Sequence, residues 1–443
     1  MAFKPRPVLH FTPETGWMND PNGLVYFHDK YHLFYQYHPD SLFWGRPMHW
    51  GHAVSEDLLH WRHLPVALEA DELGDIFSGS AVVDIGNTSG LGRKGEPMVL
   101  FYTYDDGQRE GQALAWSEDG CSFTKYPGNP ILPFETGDFR DPKVFRFGES
   151  WRMVISRGDR VLFYGSENLL DWRKAGEFSG IPLPGVWECP DLFPLPKAGG
   201  EKWVLVVSMG MPRELGRRPV YLIGSFDGAA FTPEGNLHYL DEGPEQYASV
   251  TWFDRPEGEK RMLGWAWDGD CGDAFPTAPY KGQMGSPLSL CLMDTASGMR
   301  LGRRFCEQLI LAATDSFSLP ASGLPKGPWA LEAEGETPFT LSLCNEAGDC
   351  FTFGWEGDRL FIDRSGLPAL PGKPAYNRRW EAKRVETGPL YLRALVDHSM
   401  FELLGDNGAL LFTAALFPRK PFTRVSVTGK PRCCGILFEE SDR

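Results

Sequence analysis

The sequence predicts an all-β chain: a five-bladed β-propeller over residues 1–302, a linker over 303–318 and a C-terminal β-sandwich over 319–443. Three observations lead there. A seven-residue pattern recurs at blade-like spacing, a set of landmarks recurs in phase with it, and the texture of the chain changes near residue 300.

The pattern is Ser55-Glu56-Asp57-Leu58-Leu59-His60-Trp61, then Ser117 to Phe123, Ser166 to Trp172 and Ser225 to Phe231. Each copy opens on Ser, carries an acid or amide two residues on, and closes on an aromatic after six. The starting serines lie 62, 49 and 59 residues apart. Between them run strand-like stretches such as Met98-Val99-Leu100-Phe101-Tyr102 and Trp203-Val204-Leu205-Val206-Val207, punctuated by Gly and Pro. Several strands in a repeat of about 50–60 residues read as a propeller blade.

Upstream of these copies stand Asp20-Pro21, Ser78-Gly79-Ser80, Arg140-Asp141-Pro142 and Glu188-Cys189-Pro190-Asp191. A fifth landmark, Tyr247-Ala248-Ser249, precedes the strand-like Arg261 to Trp265. Positions at equal phase in a propeller lie near the start of each innermost strand and converge on one end of the channel. Three of the five carry acids: Asp20, Asp141 and the Glu188/Asp191 pair. Gathering negative charge in one funnel costs free energy that the fold has no need to spend. Singly, each acid also reads as a turn former, and Asp20-Pro21-Asn22-Gly23 is expected to be a tight turn entering the first inner strand.

After residue 300 the runs Phe339–Leu343, Phe351–Trp355, Leu360–Ile362, Leu390–Val396, Met400–Leu404 and Leu410–Thr413 read as short strands between turns. That texture suits a β-sandwich. It holds no acidic constellation, so a structural role is expected for it.

Composition bounds the partners. A formal charge of −15 and a pI near 5.2 argue against nucleic acid or an anionic membrane, and an uncharged sugar is compatible. The 15 Trp suit either sugar stacking or a β core. Nine Cys, an odd count without a C-x-x-C pair, are expected to be reduced thiols, with no zinc site. MAFKPRPVLHF lacks an apolar leader run, so a cytoplasmic location is expected, with secretion only if an upstream leader is missing. Oligomeric state is left open.

Two carboxylates flanking a sugar suffice for glycoside hydrolysis, one protonating the leaving oxygen and one attacking or activating water. Glu188, between Trp187 and Cys189 with Asp191 near, is the better acid. Amide donors in its own stretch are expected to hold Asp20 ionised, and Arg140 to do the same for Asp141.

The blocks His10–Gly23 (HFTPETGWMNDPNG), Tyr31–Pro39 (YHLFYQYHP), Met48–Ala53 (MHWGHA), Phe77–Ser80 (FSGS), Phe139–Phe145 (FRDPKVF) and Trp187–Phe193 (WECPDLF) closely resemble glycoside hydrolase family 32, the β-fructosidases. The resemblance covers the propeller, and Leu392 to Pro418 is similar to that family's sandwich. It implies a retaining, exo-acting hydrolase of terminal β-fructofuranosyl residues in sucrose, fructo-oligosaccharides, levan or inulin, with no metal or organic cofactor. It implies Asp20 as nucleophile, Glu188 as general acid/base and Asp141 as transition-state stabiliser. Asn19, Gln36, Trp44, Phe77, Ser78, Arg140 and Trp265 match positions that line the family's fructose pocket.

The chain departs from the family pattern at Trp44-Gly45-Arg46-Pro47-Met48, one residue longer than usual, at Tyr280-Lys281-Gly282-Gln283-Met284 and at Trp265-Ala266-Trp267. These departures are expected at the pocket rim, where they bear on the leaving group. Arg46 or Lys281 could meet a phosphate, but a Trp at position 44 favours an unphosphorylated substrate. His49 and His52 read as hydrogen-bonded propeller histidines rather than metal ligands, and Cys189 as a packing residue that tunes Glu188. Competing readings are a fructosyltransferase using the same intermediate, a non-catalytic sugar-binding propeller, and a pentoside-active relative.

Overall fold

The computed structural model describes residues 6–210, 218–253 and 259–438. The chain forms two compact units: Thr15–Tyr239 with Tyr247–Trp265, and Met1–Glu14 with Leu240–Gln246 and Ala266–Arg443.

The first unit is a succession of antiparallel meanders. β1 (Gly16–Phe27), β2 (Lys30–His38), β3 (His49–Ser55) and β4 (Arg62–Leu68) form one sheet in that order. β5 (Asp75–Val83), β6 (Met98–Asp105), β7 (Arg109–Ser117) and β8 (Thr124–Lys125) form the next, with β9 (Leu132–Thr136) also on β7. β10 (Phe139–Phe147), β11 (Ser150–Arg157), β12 (Arg160–Ser166) and β13 (Arg173–Phe178) follow. Then come β14 (Val186–Lys197), β15 (Gly200–Gly210), β16 (Arg218–Phe226) and β17 (Phe231–Pro233), with β18 (His238–Tyr239) on β16. β19 (Tyr247–Thr251) pairs with β20 (Arg261–Trp265). The leading strands touch in a ring, β1 with β5, β5 with β10, β10 with β14, β14 with β19 and β19 with β1. This is propeller construction, as expected.

The recurring Ser segments are the hand-over from the third strand of a meander to the fourth. Ser55 Oγ accepts from Leu58 N at 2.8 Å, and Asp57 Oδ1 from Leu59 N at 2.9 Å. Ser117 and Asp119 repeat this with Gly120 and Cys121, each at 2.8 Å. The fourth residue of each copy, Leu58, Gly120, Leu169 or Gly228, has positive φ. The closing indoles of Trp61 and Trp172 donate to the carbonyls of Leu58 and Leu169 at 3.0 and 2.9 Å. The repeat seen in the sequence is thus a side-chain-capped turn.

The landmarks have a different cause. Each of the five leading strands is bulged there: Met18/Pro21, Ile76/Gly79, Arg140/Lys143, Glu188/Asp191 and Tyr247/Val250. A bulge bends a strand and re-aims a side chain. Asp141, Cys189 and Ala248 accordingly sit at φ of 66°, 46° and 50°. The expected turn at Asp20-Pro21-Asn22-Gly23 is not one. The stretch lies inside β1, which runs on from Gly16 to Phe27 with a second register shift between Asn22 and Val25. Pro is tolerated in a strand at a bulge, and Gly23 supplies a φ of 54°. Trp50, Trp151 and Trp187 are fully buried, so part of the aromatic surplus is core.

The second unit holds two six-stranded antiparallel sheets. One runs Ala313–Ser318, Arg432–Phe438, Trp329–Gly335, Leu390–Asp397, Met400–Gly405 and Leu410–Ala415; the other Ala321–Ser322, Arg424–Thr428, Phe339–Cys344, Cys350–Glu356, Arg359–Asp363 and Arg379–Lys383. Phe351 and Phe353 of one sheet pack on Phe401 of the other, ring centroids 4.7 and 4.8 Å apart, as a sandwich core requires. The expected reduced state of all nine cysteines is corrected here. Cys344 and Cys350 form a disulfide, because they are direct cross-strand partners at the end of one hairpin.

The expected linker 303–318 carries regular structure: the end of strand Gly298–Phe305, helix Glu307–Leu311 and strand Ala313–Ser318. Arg303 is buried in the second unit, donating to the carbonyls of Ala409 and Leu240 at 2.9 Å each. Asp397 takes the N–H groups of Val8, Leu9 and His10 and so ties the N-terminal segment into the same unit.

Candidate active site

Three bulged strands bring three acids into one cluster. Asp20 comes from β1, Asp141 from β10 and Glu188 from β14. Cys189 links two of them: its N–H donates to Asp141 Oδ2 at 2.8 Å and its thiol to Asp20 Oδ2 at 3.5 Å. Arg140 reaches the third, Nη2 donating to Glu188 Oε1 at 3.1 Å.

Asp20 Oδ2 is a hub of donors. Ser78 Oγ donates to its Oδ2 at 2.6 Å and Gln36 Nε2 at 3.2 Å, and Gln36 also donates to Ser78 Oγ at 2.5 Å. Asn22 Oδ1 accepts from Gly79 N at 3.0 Å, which fixes β5 against β1 at this point. Buried Asn19 accepts from the Trp17 indole at 2.8 Å, and Trp265 packs edge-on to Trp17 with centroids 5.9 Å apart. Trp265 is thus linked to Asn19 through the Trp17 ring. Trp44 is 52% exposed and meets Phe77 edge-on at 6.2 Å. Phe77 accepts from the Trp50 indole through its carbonyl at 3.0 Å.

Burial pushes the Asp141 carboxyl up to about 8; Arg140 opposes this, and the charges of Glu188 and Asp20 add to it. Asp20 is also raised, by burial first and by Glu188, against its donors Ser78, Asn19 and Cys189. The donors expected to hold Asp20 and the Arg140 charge expected to hold Asp141 do act downward on each acid, but the net direction for both is up. Mutual crowding and loss of water outweigh a few donors and one shared cation. Burial alone would lower Arg140, but the carboxylates around it, Asp141 foremost, hold it above its ordinary value.

Several participants were not legible as site residues. Tyr247, on β19, donates its hydroxyl to Glu188 Oε2 in a short hydrogen bond. The fifth landmark marked its position, but carries no acid to draw notice. Glu110 of β7 pairs with Arg140 Nη1 at 2.7 Å and accepts from Phe139 N at 2.5 Å, and Asp138 pairs with Arg140 Nη2 at 2.7 Å. Thr103 accepts from Asp141 N at 3.0 Å. No motif singled out Glu110 or Thr103. Cys189 does more than pack beside Glu188, and its thiol is pushed well above its ordinary value by burial and by the surrounding acids, which removes it as a nucleophile.

Asp191 is not part of the cluster. The bulge turns it away from Glu188 to Lys143 at 3.1 Å and to Thr251 Oγ1 at 2.8 Å, fully buried. His52 Nε2 lies 3.0 Å from His32 Nδ1, and burial holds His32 down to about 4 and His52 well below its ordinary value. His49 Nδ1 accepts from Ala70 N at 3.0 Å. Both are hydrogen-bonded, as expected. Arg46 is engaged by Asp75 and Asp105, the latter at 2.6 Å, and Lys281 is buried with its ammonium on the Phe275 carbonyl.

Residues 10–301 match the sequence profile described as the glycosyl hydrolases family 32 N-terminal domain, and residues 326–431 the family 32 C-terminal profile. A levanase of Bacillus subtilis (strain 168) is 40% identical over 93% of this chain and 66% of its own length. A levanase of Bacillus sp. (strain L7) is 36% identical over 94% of this chain, which spans only 49% of that relative. An extracellular exo-inulinase of Aspergillus ficuum is 33% identical over 93% of this chain and 89% of its own length. Among solved structures, an exo-inulinase from Aspergillus awamori superposes with a TM-score of 0.89 at 29% identity, covering 99% of this chain and 98% of that one.

Proposed function

Since the chain belongs to glycoside hydrolase family 32, we propose that it is an exo-acting β-fructosidase that releases fructose from sucrose, fructo-oligosaccharides or β-fructans by a retaining double displacement. The observation that carries this reading is the joining of Asp20, Asp141 and Glu188 in one cluster through Cys189 and Arg140.

In the first step Glu188 protonates the glycosidic oxygen while Asp20 attacks the anomeric carbon, so that the C–O bond to the leaving group breaks as the fructosyl ester forms. Ser78, Gln36 and the Cys189 thiol orient the attacking carboxylate by donating to Asp20 Oδ2. Asp141 hydrogen-bonds fructose hydroxyls and stabilises the oxocarbenium-like charge, with Arg140 balancing the three acids. In the second step Glu188 takes a proton from water, water attacks the same carbon, and Asp20 leaves. Asn19, Gln36 and Ser78 line the fructose side, and Trp44 and Phe77 the rim. The substrate is unphosphorylated: Arg46 is occupied by two carboxylates and Lys281 is buried.

The test is fructose release from sucrose, inulin and levan side by side, with Asp20→Ala and Glu188→Ala expected to lose about a thousandfold or more in kcat. Cleavage of none of the three, or full activity in either variant, sinks the reading.

A further inference from the structure

Resting on the fructosidase reading, we propose that Arg46 is a positioning residue: it pins the loop between β2 and β3 so that Phe43 and Trp44 form a fixed stacking edge for the sugars on the leaving-group side of the site.

Residues 39–48 carry Phe43 and Trp44, 62% and 52% exposed. Trp44 has the Phe77 ring edge against it, but side chains this exposed are held only in part by packing, so their position depends also on what fixes the backbone beneath them. Two bonds fix its end: Met48 N donates to Asp75 Oδ1 at 2.9 Å, and Ile76 N to Met48 O at 3.0 Å. Arg46 is the third tie. Its guanidinium spans Asp75 Oδ2 on β5 and Asp105 Oδ2 at the end of β6, the second at 2.6 Å. Asp75 lies two residues before Phe77 and three before Ser78, the donor to Asp20. The clamp therefore joins the aromatic loop to the strand that holds the nucleophile.

Wet ion pairs contribute little. Here the Arg46 side chain is 42% exposed and open to salt, but the Asp75 and Asp105 side chains that it meets are only 6% and 13% exposed. Without Arg46, Asp75 would keep one oxygen on Met48 N and leave the other a buried charge without its cation. A planar guanidinium reaches both carboxylates at once, whereas an ammonium reaches one well. Neutral sugars bind exposed aromatic faces through their apolar C–H faces. A fixed edge at Phe43 and Trp44 serves a substrate with several sugars beyond the scissile bond more than it serves sucrose. Arg46 thus sets chain-length preference without touching the reacting atoms.

The test compares wild type with Arg46→Ala, Arg46→Lys and Asp105→Asn on sucrose and on fructo-oligosaccharides of three to five sugars. Arg46→Ala is expected to raise KM for the longer substrates about five- to tenfold and for sucrose less than about threefold, with kcat moving less than about twofold. Arg46→Lys should fall between, and about 1 M NaCl should move wild type towards Arg46→Ala. Hydrogen exchange in the 43–48 segment should quicken in Arg46→Ala. A uniform loss of kcat on every substrate, or unchanged KM values together with unchanged exchange, overturns the proposal. Asp105→Asn keeps Asp75 paired and serves if Arg46→Ala does not fold. If wild type cleaves no fructoside, the functional reading fails, while the exchange comparison still decides whether Arg46 holds the loop.

Discussion

Cys189 donates its backbone N–H to Asp141 at 2.8 Å, and can do so because its φ is 46°, a conformation that the bulge in β14 imposes. The same residue sends its thiol to Asp20 at 3.5 Å. One side chain and one peptide group thus set the spacing of two acids from different strands.

This makes Cys189 a test of whether the thiol or the backbone matters more. Cys189→Ala keeps the N–H on Asp141 and loses the weak thiol bond to Asp20, and is expected to lower kcat about three- to tenfold. Cys189→Ser restores a donor and should recover most of it. Steady-state kinetics on sucrose decide; a Ser variant slower than the Ala variant contradicts the account.

Tyr247 bears on the acid. Its hydroxyl and Arg140 each hold one oxygen of Glu188, which fixes the carboxyl plane towards the leaving group. Tyr247→Phe removes one of these two holds while leaving the ring, and is expected to reduce kcat about tenfold with KM changed little. An activated fructoside, whose leaving group needs no proton, should be hydrolysed by the variant at nearly the wild-type rate. Equal losses on both substrates would place the effect elsewhere.

Asp141 trades stability for chemistry. A carboxyl whose folded-state pKa is raised to about 8 binds its proton more tightly folded than unfolded. Its favourable contribution is therefore fully present below the unfolded value of about 4 and is lost as pH rises through about 8. Asp141→Asn removes that loss, and Arg140 retains Glu110, Asp138 and Glu188 as partners. The variant should be nearly inactive yet more stable than wild type above pH 8, by on the order of 1–2 kcal/mol. Urea unfolding at pH 6 and pH 9 checks it; a variant less stable at both values refutes the account.

Much of this site was legible because carboxylates are scarce in strand interiors and recur here in phase. Asp20, Asp141 and Glu188 were found that way, and the six blocks added Gln36, Ser78 and Arg140. What stayed hidden has a common physical cause. Bulges leave no residue signature of their own, so Asp-Pro-Asn-Gly read as a turn and Asp191 as a neighbour of Glu188, whereas the bulge sends Asp191 to Lys143. Glu110 and Thr103 reach the site across strands, from positions that an alternating pattern cannot distinguish from ordinary polar residues. The Cys344–Cys350 bond depends on hairpin register, which the spacing alone did not reveal.

The buried ionic knot of the second unit gives the last prediction. His10 is fully buried, with Nδ1 2.8 Å from Asp397 and Nε2 3.1 Å from Glu402. Burial alone would lower its pKa, but the two carboxylates outweigh it and raise the value to about 9. A histidine raised in the folded state stabilises fully below its unfolded value near 6.5, and that stability is lost as pH rises through about 9. Asp397 is held well below the usual carboxylate range, and its contribution is present above an unfolded value near 4 and falls away in acid. His10→Gln leaves two buried carboxylates without their cation and should cost about 3–5 kcal/mol near neutral pH. It should also flatten the decline of stability between pH 7 and pH 9, because the titrating imidazole is gone. Thermal unfolding across that range measures both; a variant that keeps the wild-type slope would show that another group titrates there.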